Sequence, residues 1–240
     1  MTTTIDVNDS LADLVTARPG LAARLDRLGL DYCCGGQRRL VDAVTEAGLD
    51  LDDVLDELAS ADVTPETVDW AAMTPAVLVD HLEASHHAYL RDALPLLGAL
   101  VDKVTAVHGE RHPELGEVRA VFADLRADLE PHLLKEEGIL FPMIRELAAA
   151  AEAPAFHCGS LVNPIRVMLA EHDTAGDLLA RLRTLTGGYV VPDDGCASYQ
   201  ALYDGLAELE ADTHLHVHKE NNVLFPAVLA TERSLAGDPT

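Results

Sequence analysis

Two segments of the sequence carry the same pattern of metal-binding residue types. Residues 132–142 read His-Leu-Leu-Lys-Glu-Glu-Gly-Ile-Leu-Phe-Pro, and residues 216–226 read His-Val-His-Lys-Glu-Asn-Asn-Val-Leu-Phe-Pro, 84 positions later. In each copy a histidine precedes a glutamate by four residues, which places both side chains on one face of a helix. A metal ion beside that face could be bound by the histidine and the glutamate together.

Each copy is preceded by one more histidine at a similar distance. His87 precedes His132 by 45 residues, and His172 precedes His216 by 44. If the two halves converge in a bundle, they bring together four imidazoles and two carboxylates. The candidate metal ligands are His87, His132, Glu136, His172, His216 and Glu220.

This set of donors suits two metal ions, with two histidines for each ion and both glutamates as bridges. Nitrogen and oxygen donors of this kind bind iron, manganese or zinc. Bridging carboxylates inside a helix bundle favour a di-iron site. The spacing differs from the Glu-x-x-His of ferritin-like proteins, and the His-Glu-x-x-His of zinc proteases is absent.

The other histidines make weaker candidates, although none of the eleven precedes residue 81. His108 follows His87 by 21 residues, which is about 31 Å along one helix. We therefore predict that His108 lies at a helix end, and we keep it as a second-tier site residue. His86 is expected on a polar face or next to the site. A surface position is expected for His112, His157, His214 and His218.

A pair of adjacent cysteines lies in the part of the chain that has no histidine. Cys33 and Cys34 are followed by Gly35 and Gly36, which permit a tight turn. Adjacent thiols can form only a strained disulfide with each other, but both can face a partner, a metal ion or a thiol reagent. We interpret Cys33 and Cys34 as redox or transfer thiols, while the alternative is that they are simply buried.

Helices must position these residues. The hydrophobic residues make up 48% of the chain but aromatics only 4%, and the resulting abundance of Ala and Leu favours helix. Caps and breakers predict four long helices, at about 74–107, 114–150, 163–185 and 196–231, and short helices before residue 60. The predicted fold is all-α: a small helical domain (1–60), a linker (61–73) and an antiparallel four-helix bundle (74–232).

Charge and hydropathy exclude several classes of partner. The formal charge is −24, from 41 acidic and 17 basic residues, so nucleic acid and anionic membranes are not expected as partners. No apolar run reaches the roughly 20 residues of a membrane span. The N-terminus lacks the basic region of a signal peptide, so a cytoplasmic location with reduced cysteines is expected.

The cysteine pair and the repeat together resemble a known family. Asp31-Tyr-Cys-Cys-Gly-Gly36, followed by a bundle with two His-x-x-x-Glu motifs that end in Leu-Phe-Pro, is similar to the RIC (repair of iron centres, ScdA-type) family. The resemblance covers about residues 5–230, with Tyr32 where many members carry Phe. It implies a hemerythrin-like bundle, and a non-haem di-iron protein that restores iron-sulfur clusters under nitrosative or oxidative stress.

By position, the resemblance implies four terminal histidine ligands, at His87, His132, His172 and His216. It also implies that Glu136 and Glu220 are carboxylate bridges, that an oxo bridge completes the iron pair, and that Cys33 and Cys34 are the family's cysteine pair. The family also has a histidine at the position of His108.

Three functions remain open at this point. The first is iron delivery to damaged iron-sulfur proteins or other iron acceptors. The second is an enzyme that reduces nitric oxide (NO) at the di-iron site. The third is a binding protein for O2 or NO, which is disfavoured because hemerythrins carry a less symmetric ligand set. Exposed thiols would allow a homodimer.

Overall fold

Helices dominate the computed structural model, which describes residues 5–60 and 69–237. Within these ranges there is no β-strand, and the only bridges are isolated ones, Ser10 with Arg39 and Phe156 with Gly159. The prediction of an all-α fold is confirmed. In the described ranges, no helix is both long and apolar enough to cross a membrane. Most of the predicted linker, residues 61–68, lies outside the described residues.

Four short helices form the N-terminal unit. They are α1 (Leu11–Ala17), α2 (Ala22–Leu28), α3 (Leu40–Glu46) and α4 (Leu51–Ala59). The Ser10 side chain caps α1 by accepting a hydrogen bond from the Asp13 N–H, and Asp50 caps α4 in the same way. Gly29, in the left-handed conformation at φ 67°, ends α2.

Helix α3 begins only at Leu40, several residues after the cysteine turn. The residues before α3 accept hydrogen bonds from the start of α1: the N–H of Leu11 donates to the Arg38 carbonyl, and the N–H of Ala12 donates to the Gly36 carbonyl. These are N–H groups at the start of α1, which have no partner within their own helix. Residues 36–38 therefore form a turn and a bend rather than the first turn of α3.

The bundle is built from the remaining helices, and three of its four long rods contain a π-helical turn. The first rod is α5 (Pro75–Leu82), a π turn (Glu83–His87) and α6 (Ala88–His108). The second is α7 (Glu114–Lys135), a π turn (Glu136–Leu140) and α8 (Phe141–Ala149). The third is α9 (Val162–Leu185). The fourth is α10 (Ala197–His218), a π turn (Lys219–Leu224) and α11 (Phe225–Leu235).

The π turns are a feature that the helix prediction missed, and two of them have a local cause. Each copy of the repeat ends in Leu-Phe-Pro, and the π turn stops at that leucine. Because Pro142 and Pro226 have no N–H, the carbonyl four residues before each proline loses its regular partner. Wider π turns occur mainly at functional sites, and these two begin at or next to the glutamates of the repeat.

Two apolar clusters fill the bundle, one on either side of the candidate ligands. The long core joins α6, α7, α9 and α10, and the short core joins α5, α8, α11 and the start of α9. On the first rod Leu82 belongs to the short core and Leu90 to the long core, with His87 between them. The same order holds on the other three rods, so the polar residues form one layer across the bundle.

The N-terminal unit packs on the fourth rod. Val217 of α10 belongs to the apolar core of the N-terminal unit. The Asp26 carboxylate lies 2.7 Å from His214 Nδ1, and the Asn222 side-chain amide donates to the Cys33 carbonyl at 2.9 Å. The turn that carries the two cysteines is thus held against the segment that contains Glu220.

Candidate metal centre

The structure brings all six predicted ligands into two groups of four. One group consists of His87, Glu136, His216 and Glu220, and the other of His132, Glu136, His172 and Glu220. Within each group, the potential ligand atoms lie within 4.8 Å of one another. Both glutamates belong to both groups, which is the arrangement expected for two ions that share two bridging carboxylates.

Glu136 is the meeting point of the first two rods. Its Oε2 lies 3.3 Å from His132 Nε2 on its own helix and 3.4 Å from His87 Nε2 on the neighbouring rod. The π turn that ends at His87 and the one that begins at Glu136 face each other here.

Glu220 plays the corresponding part for the third and fourth rods. Its Oε1 lies 3.3 Å from His216 Nε2, and its Oε2 lies 3.1 Å from His172 Nε2. The two halves also meet directly, because the Nε2 atoms of His132 and His172 are 3.1 Å apart. A cation between these two nitrogen atoms would use the lone pairs of both.

Several polar atoms of the centre are buried without a hydrogen-bond partner. Glu136 and Glu220 are 0% exposed, and among the described residues both oxygen atoms of each carboxylate lack a hydrogen-bond partner, as does His87 Nε2. Buried polar atoms of this kind are costly unless something binds them. Bound cations would satisfy these atoms, so the donor set fits a metal pair.

Two of the histidines are oriented by equivalent residues of the repeat. His87 Nδ1 lies 2.8 Å from the Glu137 carboxylate, and His172 Nδ1 lies 2.7 Å from Asn221 Oδ1. Glu137 and Asn221 each follow the candidate bridging glutamate of their copy. Since each Nδ1 donates its proton outward, the Nε2 lone pair is left for the centre. Nothing in the repeat pattern alone shows which helix these residues face, so the sequence analysis missed them.

The other two histidines are held differently from each other. His132 Nδ1 lies 2.9 Å from the Glu171 carboxylate, which also pairs with Lys135. Within the part of the chain that the structure describes, His216 Nδ1 has no such acceptor, and its ring stacks on that of His86 with ring centroids 5.3 Å apart. The two copies of the repeat therefore provide the same types of candidate ligand, but the residues that contact those ligands differ.

Electrostatics favours ionised carboxylates in this centre. Burial alone would raise the pKa of both carboxyl groups. The surrounding imidazoles nevertheless hold the pKa of Glu136 below its ordinary value and the pKa of Glu220 well below it. For His132, the neighbouring carboxylates outweigh burial and raise the pKa to about 9. The negative charge that a cation needs is thus present at neutral pH.

The cysteine pair lies outside this centre, at a cavity beside α9. Asp31 builds the turn, because its carboxylate accepts hydrogen bonds from the N–H groups of Cys33, Cys34 and Gly35. Both thiols are free, with sulfur atoms 3.9 Å apart. Contact with Cys34 and burial raise the pKa of the Cys33 thiol. Cys34 is the more accessible thiol, and Cys33 is buried.

The cavity is acidic and has a volume of about 480 Å³. Its lining includes both cysteines, Arg183, His214 and five carboxylates, those of Asp26, Asp31, Asp173, Asp177 and Glu210. Asn221 connects this region to the centre, because its amide donates to the Cys33 carbonyl at 3.4 Å while its oxygen meets His172. The turn of the cysteines and one ligand thus share a hydrogen-bonding residue.

Histidines outside the six ligands are partly misplaced by the sequence analysis. His218 was expected at the surface but is 0% exposed, because the N-terminal unit covers it and the Thr16 hydroxyl lies 3.2 Å from its Nε2. His214 is half-buried against Asp26 for the same reason, and His157 is exposed as expected. His108 lies at the end of α6 and belongs to neither group of four.

Comparison with known proteins agrees with both parts of the chain. Residues 77–228 match the family model of the hemerythrin HHE cation-binding domain, and residues 7–62 match ScdA_N, a domain of unknown function. The chain is 35% identical to an iron-sulfur cluster repair protein YtfE of Cronobacter sakazakii, over 93% of this chain and 97% of the relative. It is also 35% identical to the proteins of that name from Escherichia coli and Escherichia fergusonii, over 92% of this chain and 97% of each relative. The chain therefore belongs to the family of hemerythrin-like iron-sulfur cluster repair proteins.

Proposed function

We propose that this chain is a non-haem di-iron protein that repairs, or supplies iron to, iron-sulfur clusters damaged by nitrosative or oxidative stress. The observation that carries the proposal is the pair of buried four-residue groups that share Glu136 and Glu220. The relatives that match almost the whole chain are named for cluster repair, which supports the same function.

Six residues would hold the two irons. His87 and His216 would bind one ion, His132 and His172 the other, and both glutamates would bridge them. We also propose an oxo bridge between the ions. Nitrogen and carboxylate donors without a thiolate suit iron. When bound, the irons would supply one-electron redox chemistry and a store of iron ions.

The cysteine turn is proposed as the place where iron leaves the protein. Cys34 faces the acidic cavity, and its sulfur is near Gly176, one helical turn beyond His172 on α9. Carboxylates and a thiol together attract and bind a transition-metal cation. Cys33, with its raised pKa, would take part after Cys34.

An iron-transfer assay tests this proposal. Freshly purified protein is expected to contain two irons per chain by metal analysis and Mössbauer spectroscopy, and to restore activity to an apo iron-sulfur enzyme. The variants Glu136→Gln and Glu220→Gln should lose iron and should not restore activity. One bound zinc ion, or equal restoration by the iron-free variants, would contradict the proposal.

The role of the cysteine turn is tested separately. Cys34→Ser should keep its iron but transfer it more slowly, because the six ligands are unchanged. Cys158→Ser is the matched control, since Cys158 is also partly exposed but lies outside the cavity. Equal transfer rates for the two variants would remove the cysteine turn from the route.

A second function, reduction of nitric oxide, is favoured by the number of donors. Each group offers four ligand atoms from the protein, which leaves positions open on an ion that prefers six. Reduction of NO to nitrous oxide with continued turnover, in the presence of a reductant, would support this function. A single burst per centre would argue against it. Reversible O2 binding by the reduced protein would instead indicate a carrier.

A further inference from the structure

A cysteine and a histidine form a close pair far from the metal centre. Cys196 precedes α10 as its N-cap residue, and its sulfur lies 3.2 Å from Nε2 of His108, at the end of α6. His108 is 4% exposed, whereas Cys196 is exposed to solvent. Since α6 runs from Ala88 to His108, about 30 Å of helix separates this pair from the ligand layer.

The hydrogen bonds of His108 determine which atom carries its proton. The Arg111 guanidinium lies 3.4 Å from His108 Nδ1. A guanidinium can only donate hydrogen bonds, so Nδ1 must accept, and in the neutral imidazole the proton is on Nε2. The Nε2–H group then points at the sulfur of Cys196. This geometry favours a thiolate, which accepts that hydrogen bond more strongly than a thiol does.

The position of Cys196 at a helix start adds to this effect. The 22-residue helix α10 presents its free N–H groups at this end, where negative charge is stabilised. The hydrogen bond from His108, followed by N–H groups of Tyr199 and Ser198, lowers the pKa of the Cys196 thiol to about 7. About half of the Cys196 side chains are then thiolates at neutral pH.

The remaining charged groups at this end are paired with one another. His112 lies between the Asp194 and Glu114 carboxylates at 2.9 and 3.1 Å, and Arg111 pairs with Asp194 at 3.0 Å. None of them lies with Cys196 in a group of three potential metal ligands within the described ranges. The pair is therefore suited to thiolate chemistry rather than to metal binding.

We propose that Cys196, positioned by His108, is a modification site that exchanges with low-molecular-weight disulfides. The Cys196 thiolate attacks one sulfur of the small disulfide, and a new S–S bond forms. The old S–S bond breaks, and the second sulfur leaves as a thiolate. Cys196 is oxidised, the leaving thiol is reduced, and no other oxidant is needed.

The native protein provides the first test. Full-length protein is treated with glutathione disulfide between pH 5.5 and 9, and the mixed disulfide at each cysteine is measured by mass spectrometry. At Cys196 the rate should rise with an apparent pKa near 7. Cys158, which donates to the Ser160 carbonyl, is the internal comparison and should react more slowly at pH 7. A midpoint for Cys196 above pH 8.5, or a rate no faster than that of Cys158, would overturn the proposal.

A variant then tests the part played by His108. In His108→Leu the rate at pH 7 should fall about five- to ten-fold, because the loss of thiolate exceeds the gain in nucleophilicity that a higher pKa brings. His112→Gln, which removes the neighbouring imidazole but not the contact with sulfur, should react like the parent protein. An unchanged rate in a folded His108→Leu would overturn the role of His108. If that variant does not fold, the pH profile of the native protein decides.

Discussion

At the scale of single residues, the candidate centre depends on side chains outside the set of six candidate ligands. Glu136 and Glu220 are carboxylates without any exposure, and burying such charges costs several kcal/mol each unless cations or donors compensate. The ligand histidines supply part of that compensation only if their Nε2 lone pairs face inward. Glu137, Glu171 and Asn221 impose this orientation from outside the ligand set.

We expect Asn221→Leu to weaken iron binding about 10- to 100-fold, the usual effect of losing a residue that orients a ligand. Leucine has a similar size but cannot accept the Nδ1 proton of His172. Competition with an iron chelator measures the change. Asn222→Leu is the matched control, because Asn222 also donates to the Cys33 carbonyl but does not touch a ligand. Equal affinities for the two variants would mean that Asn221 does not orient His172.

At the scale of elements, a π turn marks the place where three of the four rods pass from one core to the other. The turn at Glu136–Leu140 separates α7, which packs in the long core, from α8, which packs in the short core. Gly138 lies inside this turn, its φ is not positive, and a Cβ placed there would meet no atom within 4 Å. The turn therefore does not depend on glycine.

Two glycine substitutions should consequently have opposite effects on stability. Gly138→Ala is expected to stabilise the fold by about 0.5–1 kcal/mol, because alanine loses less backbone entropy. Gly205→Ala on α10 should destabilise it by about 1 kcal/mol net, because the new Cβ would lie 2.6 Å from Leu97 Cδ2 in the long core. Thermal unfolding of the metal-free proteins measures both. A destabilised Gly138→Ala would show that the π turn requires glycine.

At the scale of the whole molecule, the layer of candidate ligands links all four rods and lies next to the N-terminal unit. A ligand that binds only the folded state at 100 times its dissociation constant adds about 2.7 kcal/mol. For a chain of this length we expect chelation of the metal to lower the melting temperature by about 5–10 °C. Calorimetry with and without chelator measures this shift. The shift should vanish in Glu136→Gln, and a shift that persists there would locate the bound metal elsewhere.

The six candidate ligands were predictable because the two copies of the sequence repeat occupy equivalent positions on two helices of the bundle. His-x-x-x-Glu on a helix fixes a shared face, and the near-equal spacing of His87 and His172 fixes which rods converge. What escaped prediction depends on contacts between distant segments. His218 is buried only because the N-terminal unit covers it, and Cys196 meets His108 only because the end of α6 lies beside the start of α10. The ligation of metal by these six residues stays a prediction.

The separation of the long core from the short core has a consequence for motion. Among the described residues, the apolar clusters do not run continuously along the bundle, because the layer of polar side chains separates the long core from the short core on every rod. Without metal, the helices of the short core can unfold locally while those of the long core stay folded. Bound ions would connect the two cores and oppose this local unfolding. Amide hydrogen exchange should show this: in metal-free protein α8 and α11 should exchange faster than α6 and α7, and metal should slow α8 and α11 most. Uniform exchange along the rods would mean that the bundle opens as one cooperative unit.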